Sequence, residues 1–215
     1  MLARTTSLAA LVIWGLGLCI GCADSQPVQR TTTYPNGQAW SETVYVDGLP
    51  HGSWTTWYAD GQLKSRGQYS RGRQTGAWTS WNPDGSLDIE ASYQDDEPHG
   101  PWTYFEGGKR LRSGSYENGR RQGPWHEWFE DGEMRSETQF EAGKESGAAQ
   151  AWHRNGQLRE AGSYRNSVRD GHWTFWSQDG TLDVEKSGDY RSNRKVGESS
   201  RIQPAIESDT EEPRR

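Results

Sequence analysis

Cysteine is almost missing from this chain: of 215 residues only Cys19 and Cys22 carry a thiol, and both lie near the start. Everything beyond them is therefore excluded from disulfide frameworks and thiol catalysis. Apolar residues are scarce as well, at 31% hydrophobic and a mean hydropathy of -1.06. No segment after Ile20 keeps a 3.6-residue apolar rhythm, so helix is expected to be nearly absent from the mature chain. Basic runs are missing too. None is longer than Lys109-Arg110 or Arg120-Arg121, and the net charge is -6, which argues against a nucleic-acid partner. Read alone, so polar and glycine-rich a composition suggests disorder. The 12 tryptophans argue the opposite.

The tryptophans are not scattered, because the chain repeats. One glycine series runs Gly37, Gly61, Gly85, Gly108, Gly132, Gly156 and Gly180, and a second runs Gly52, Gly76, Gly100, Gly123, Gly147, Gly171 and Gly197. Nearly every step is 24 residues, the mark of a repeat array of about seven copies. Each unit reads as two short strands and two turns. Asn36-Gly37, Asp60-Gly61, Asp84-Gly85, Asp131-Gly132, Asn155-Gly156 and Asp179-Gly180 supply hairpin turns, since glycine reaches positive φ without a Cβ clash. Leucine or methionine stands two residues past the glycine (Leu63, Leu87, Met134, Leu158, Leu182), and an aromatic stands eight past it (Tyr45, Tyr69, Tyr93, Tyr116, Phe140, Tyr164). Both offsets are even, which on an unbroken strand puts leucine and tyrosine on one face.

Ten tryptophans occupy two further slots: Trp54, Trp78, Trp102, Trp125 and Trp173 in the first, and Trp57, Trp81, Trp128, Trp152 and Trp176 in the second. The slots are three residues apart, so either a bulge re-aims one of each pair or the array carries aromatics on both faces. The copy from Trp102 to Gly108 has lost a residue, a later one has Ala149 where the first tryptophan belongs, and the last has Ser199. A single unit buries too little to order itself, so neighbouring copies are expected to stabilise one another.

Residues 1–21 read as an export signal, with Arg4 ahead of an apolar stretch from Leu8 to Ile20 that is too short for a spanning helix. Leu18-Cys19-Ile20-Gly21-Cys22 resembles the lipobox of bacterial lipoproteins, which implies lipidation of the Cys22 thiol and cleavage before it. The resemblance departs from the pattern at Cys19, where a leucine is usual. Asp24 follows only after Ala23, which resembles lipoproteins sorted to an outer membrane. The expected organisation is a signal peptide over 1–21, a lipid-anchored tether over 22–33, the array over 34–199 and a disordered tail over 200–215.

The unit Gly-x-Trp-x-x followed by two aromatics and Asp-Gly-x-Leu, with Tyr-x-x-Gly later, stands clearest from Gly52 to Leu63 and from Gly123 to Met134. It resembles the variant MORN repeat of bacterial proteins, many of which carry an antitoxin-like label. The resemblance covers Tyr34 to Gly197 and implies hairpins joined edge to edge in an elongated antiparallel sheet, an all-β fold.

No chemistry emerges beside it. His51 and His99 share a repeat slot, while His126, His153 and His172 occupy others with no ligand spacing among them. The aspartates Asp60, Asp84, Asp131 and Asp179 are explained by turns, and no nucleophile elbow or phosphate loop occurs. No enzyme activity, cofactor or metal is expected. Three roles remain: an envelope lipoprotein whose array docks an unidentified envelope protein, a binder of wall or surface polysaccharide through exposed tryptophans, and an antitoxin-like or immunity protein.

Overall fold

Two kinds of turn and three kinds of bulge, repeated about every 24 residues, shape the chain. The computed structural model describes residues 26–197, which hold seventeen strands and no helix. The strands are β1 (Val28–Thr33), β2 (Ala39–Val46), β3 (Leu49–Trp57), β4 (Leu63–Ser70), β5 (Arg73–Trp81) and β6 (Leu87–Gln94). Then follow β7 (Glu97–Pro98), β8 (Gly100–Glu106), β9 (Lys109–Glu117), β10 (Arg120–Trp128), β11 (Met134–Glu141) and β12 (Lys144–Trp152). The last are β13 (Leu158–Arg165), β14 (Val168–Arg169), β15 (Gly171–Phe175), β16 (Gly188–Arg191) and β17 (Arg194–Lys195). Each hairpin strand pairs antiparallel with the next in sequence, so the sheet is one long open meander, as the repeat pattern predicts. The short pairs β7/β8 and β14/β15 each act as one broken strand, beside β6 and β13 respectively.

The Asp-Gly turn is tighter in its demands than the sequence suggests. Only its glycine has positive φ, as at Gly61 (φ 88), because Gly61 N–H closes a turn on the Tyr58 carbonyl and the glycine then bulges into the next strand. The aspartate contributes through its side chain instead, since Asp60 Oδ1 accepts the Gln62 N–H at 2.9 Å. The second glycine series does not mark the second turn. Gly52, Gly76 and Gly123 are not in turns but inside β3, β5 and β10, where positive φ lets residues such as Gly52 and Ser53 bulge out of register between His51 and Trp54. The real second turn lies at Asp47-Gly48, Arg71-Gly72, Asp95-Asp96, Asn118-Gly119, Ala142-Gly143, Asn166-Ser167 and Ser192-Asn193, where both residues have positive φ.

These second turns stack on one another. Gly72 N–H donates to Pro50 O, Asp96 to Gln74, Gly119 to Pro98, Gly143 to Arg121, Ser167 to Glu145 and Asn193 to Arg169. Where a side chain replaces the glycine it adds a second stitch, as Asp96 Oδ1 accepts Gln74 N–H at 2.7 Å and Asn193 Oδ1 accepts Arg169 N–H at 2.7 Å. The opposite edge is stitched too. Tyr34, Tyr58 and His153 each reach the carbonyl of the next copy's second tryptophan: Trp57, Trp81 and Trp176. Tyr58→Phe should therefore lower stability by about 0.5–1.5 kcal/mol in urea unfolding, the loss of one such hydrogen bond.

The expected tether ends too late. Val28–Thr33 is strand β1, paired with β2. It escapes the repeat pattern because Arg30 stands where later copies place the first tryptophan, with its guanidinium 4.5 Å from the Tyr45 ring centre as a polar cap. Thr32 and Ser41 share a hydroxyl hydrogen bond of 2.6 Å, the same as Thr56 and Ser65 one copy later. The signal segment, Cys22 and the tail over 200–215 lie outside the described residues.

Candidate interaction surface

The first-slot tryptophans form the interior of one face. Trp54, Tyr69, Trp78, Tyr93, Trp102, Tyr116, Trp125 and Phe140 follow one another edge to face with ring centres 5.1–6.2 Å apart. This geometry favours the positive edge of one ring against the negative face of the next. The ladder stops at Ala149 and resumes with Tyr164, Trp173, Phe175 and Tyr190. Arginines close it from outside: Arg121 stands 4.6 Å from Trp125, and Arg169 4.8 Å from Trp173.

A floor of small residues makes this possible. Gly67, Gly114 and Gly162 lie under Trp78, Trp125 and Trp173, and a Cβ on any of them would overlap the indole. Ala91 pairs beside Trp78 on one side and packs below the slot of Trp102 on the other. This third series, six residues after each turn glycine, is the signal that reading the sequence for turns and aromatics overlooks.

The second-slot tryptophans lie on the opposite face. From Trp54 to Trp57 every residue of β3 is paired and none is skipped, so a separation of three residues places them on opposite sides. The bulge sits on the partner strand instead. Thr56 pairs with Ser65 but Trp57 with Leu63, leaving Lys64 unpaired. That extra residue turns the alternation over, so Leu63 joins Trp57 while Tyr69 stays with Trp54. The shared face expected for leucine and tyrosine is thereby corrected, and the reason is the unpaired residue. The same skip leaves Trp40, Asp88, Leu111, Arg135 and Arg159 outside the register in their copies.

This bulge position is the feature that varies. Trp40, Lys64, Leu111, Arg135 and Arg159 are exposed there, and Asp88 is half-buried with its carboxylate accepting from Ser80. Trp40 is 42% exposed and Leu111 37%. By contrast none of the ten repeat tryptophans is exposed: Trp102, Trp125 and Trp173 are buried, and Trp54, Trp57, Trp78, Trp81, Trp128, Trp152 and Trp176 half-buried.

Histidines are dispersed through the frame. His172 Nδ1 meets Asp189 Oδ1 at 2.9 Å, His126 lies 3.9 Å from Glu137, and His51 Nδ1 accepts from Arg71 N–H. Among the described residues no three histidine, cysteine or acidic side chains gather as metal ligands. Tyrosines carry the clearest electrostatic signature. Burial raises Tyr58, Tyr69, Tyr93 and Tyr164 above the ordinary phenol value, and burial with the Tyr116 hydroxyl pushes Tyr104 up to about 12. The neutral phenols belong to the fold, so their contribution is complete below the unfolded value of 10.0 and is lost as pH rises through the folded ones. Urea midpoints should fall between pH 10 and 12, and Tyr104→Phe should flatten that decline.

The sequence profile of the MORN repeat variant matches residues 50–71, 74–95 and 145–166, each one a hairpin closed by an Asp-Gly or Asn-Gly turn of the sheet just described. Three of the repeats are MORN repeat variants. MORN repeats are a non-enzymatic repeat type, generally used in protein and membrane interaction. No curated protein matches the chain. A solved structure described as "Crystal Structure of TarM" is similar to this chain at 10% identity with a TM-score of 0.29, over 45% of this chain and 20% of that one. The chain thus spans about a fifth of the length of that structure.

Proposed function

We propose that this MORN array is a non-enzymatic docking scaffold for a protein of the cell envelope, held at the membrane by lipid on Cys22. The observation that carries the reading is the bulge row. Turns, tryptophans and tyrosines are committed to joining one copy to the next, whereas the bulge offers an exposed Trp40, Lys64, Leu111, Arg135 and Arg159 on an otherwise repetitive frame. A row that changes chemistry while its backbone stays constant is how an array encodes a partner. Substituting these five with serine leaves ladder and turns untouched, so the melting transition should stay in place. Cross-linking in intact cells should then lose any protein captured by the wild type. Capture that persists, or that shows no specific protein with the wild type, sinks the reading.

The lipobox-like segment supports the tether. Cys22→Ser should move the chain from the membrane pellet to the soluble fraction, and intact mass should show the wild-type chain beginning at a lipid-modified Cys22. An unmodified wild-type chain in the soluble fraction would overturn the anchor. Polysaccharide binding by exposed ladders has less support, because the ten repeat tryptophans are buried or half-buried. An immunity role against an envelope-acting toxin is the form the antitoxin-like label takes for an exported chain, and it predicts a toxin as the captured partner.

A further inference from the structure

The aromatic ladder is broken at one place, and what lies there is a cavity. In the copy after that of Trp125 both inward positions of β12 are alanine: Ala149 in the tryptophan slot, and Ala151 where Tyr104 and Phe175 stand in other copies. The resulting slot has a volume of about 150 Å³ and is lined by Ser136, Thr138, Ala149, Ala151, Glu160 and Tyr164, with Trp173 at its end. It exceeds by far the ~10–15 Å³ that one water needs.

We propose that this slot binds a planar aromatic ring carrying an N–H or O–H donor, indole or phenol in kind. Shape is the first argument. Everywhere else along this face the position between successive tyrosines holds an indole edge to face, and here Tyr164 and Trp173 remain in contact at 4.9 Å with the next position vacant of a ring. Floor is the second. Thr138 replaces glycine beneath the slot, and Thr43 in the first copy pairs directly with Trp54, so a threonine floor accommodates an indole. Polarity is the third. The Glu160 carboxylate, only 16% exposed and held by Arg159 and Arg169 at 2.8 and 2.9 Å, lines the slot together with the Ser136 and Thr138 hydroxyls. These groups accept hydrogen bonds, so a ring with a donor is favoured over a purely hydrocarbon one.

The slot meets the bulge row only at Arg159, so its test relies on the other bulge positions to separate the two. Titrating the full chain into 5-fluoroindole while following the 19F line should give saturable broadening, with a Kd on the order of 1 mM for so small a ligand. Ala149→Trp supplies the missing ring from within and should weaken binding by at least about tenfold. Ala151→Phe fills the same space from the second position, in case the first variant misfolds. Lys64→Ala, on the bulge row, should leave binding unchanged. Absence of saturable broadening in the wild type overturns the proposal, as does unchanged affinity in both filled variants once circular dichroism shows them folded. A parallel titration with N-acetyl-5-fluorotryptophanamide distinguishes sources: equal binding indicates a side chain of a peptide, whereas binding of fluoroindole alone indicates a free small aromatic. Loss of envelope cross-links with fluoroindole binding retained, in a variant carrying serine at Trp40, Lys64, Leu111 and Arg135 alone, would confirm that the two sites are separate.

Discussion

Gly114→Ala should destabilise the full chain by about 2–3 kcal/mol in urea unfolding, although glycine to alanine in an extended strand normally gains from the unfolded side. The residue has ordinary extended φ, so the cost is steric. Its Cβ would overlap the Trp125 indole, which is 4% exposed and anchored by an Nε1 hydrogen bond of 3.1 Å to the Ser115 carbonyl. The ring cannot slide away, because Tyr116 and Phe140 contact it at 5.1 and 6.2 Å and Arg121 closes its open side. Trp125→Ala alone should cost about 3–5 kcal/mol. The decisive measurement is the double variant, which should be more stable than the sum of the single losses predicts, because the methyl then has room. Strict additivity would show that Gly114 is not the floor of the Trp125 slot.

Trp173→Ala should be the most damaging single tryptophan replacement, at about 3–5 kcal/mol. Trp173 is 1% exposed, the most buried large side chain among the described residues. Its loss removes the ring contact with Tyr164, the Nε1 bond to Ser163 O at 3.0 Å and the face on which Arg169 stacks. A repeat array couples mainly between neighbours, so the damage should be local. Hydrogen exchange should accelerate over residues 158–197 and remain slow around Trp78 and Trp102. Uniform acceleration along the chain would instead show one cooperative unit. The gap at Ala149 gives a reason to expect locality, since it interrupts the ladder between Phe140 and Tyr164.

The two variants also mark where sequence reasoning succeeds and where it stops. Trp125 and Trp173 stand out in the sequence because their slot recurs, and their burial follows from the size of the ring. Gly114 and Gly162 do not stand out in the same way. A glycine in an extended strand has no turn or positive φ to announce it, and its purpose appears only when the next strand lays an indole across it. Leu63 and Tyr69 show the same limit differently. Their even spacing is correct, but the unpaired Lys64 reverses the face, and a bulge leaves no trace in a periodicity count. Arg30 hides the first strand for a third reason: a capping copy departs from the consensus where it meets solvent.

By itself the sequence determined the period, the absence of helix among the described residues, the Asp-Gly hairpin turns and the concentration of apolar area in tryptophan and tyrosine, because these follow from local backbone preference and composition. Only the tertiary structure decided which face each aromatic occupies, that the second turns stack copy upon copy, that small residues make the floor, and that the missing tryptophan leaves a slot. All of these depend on strand register, and register is set between strands, where one unpaired residue changes every side chain beyond it.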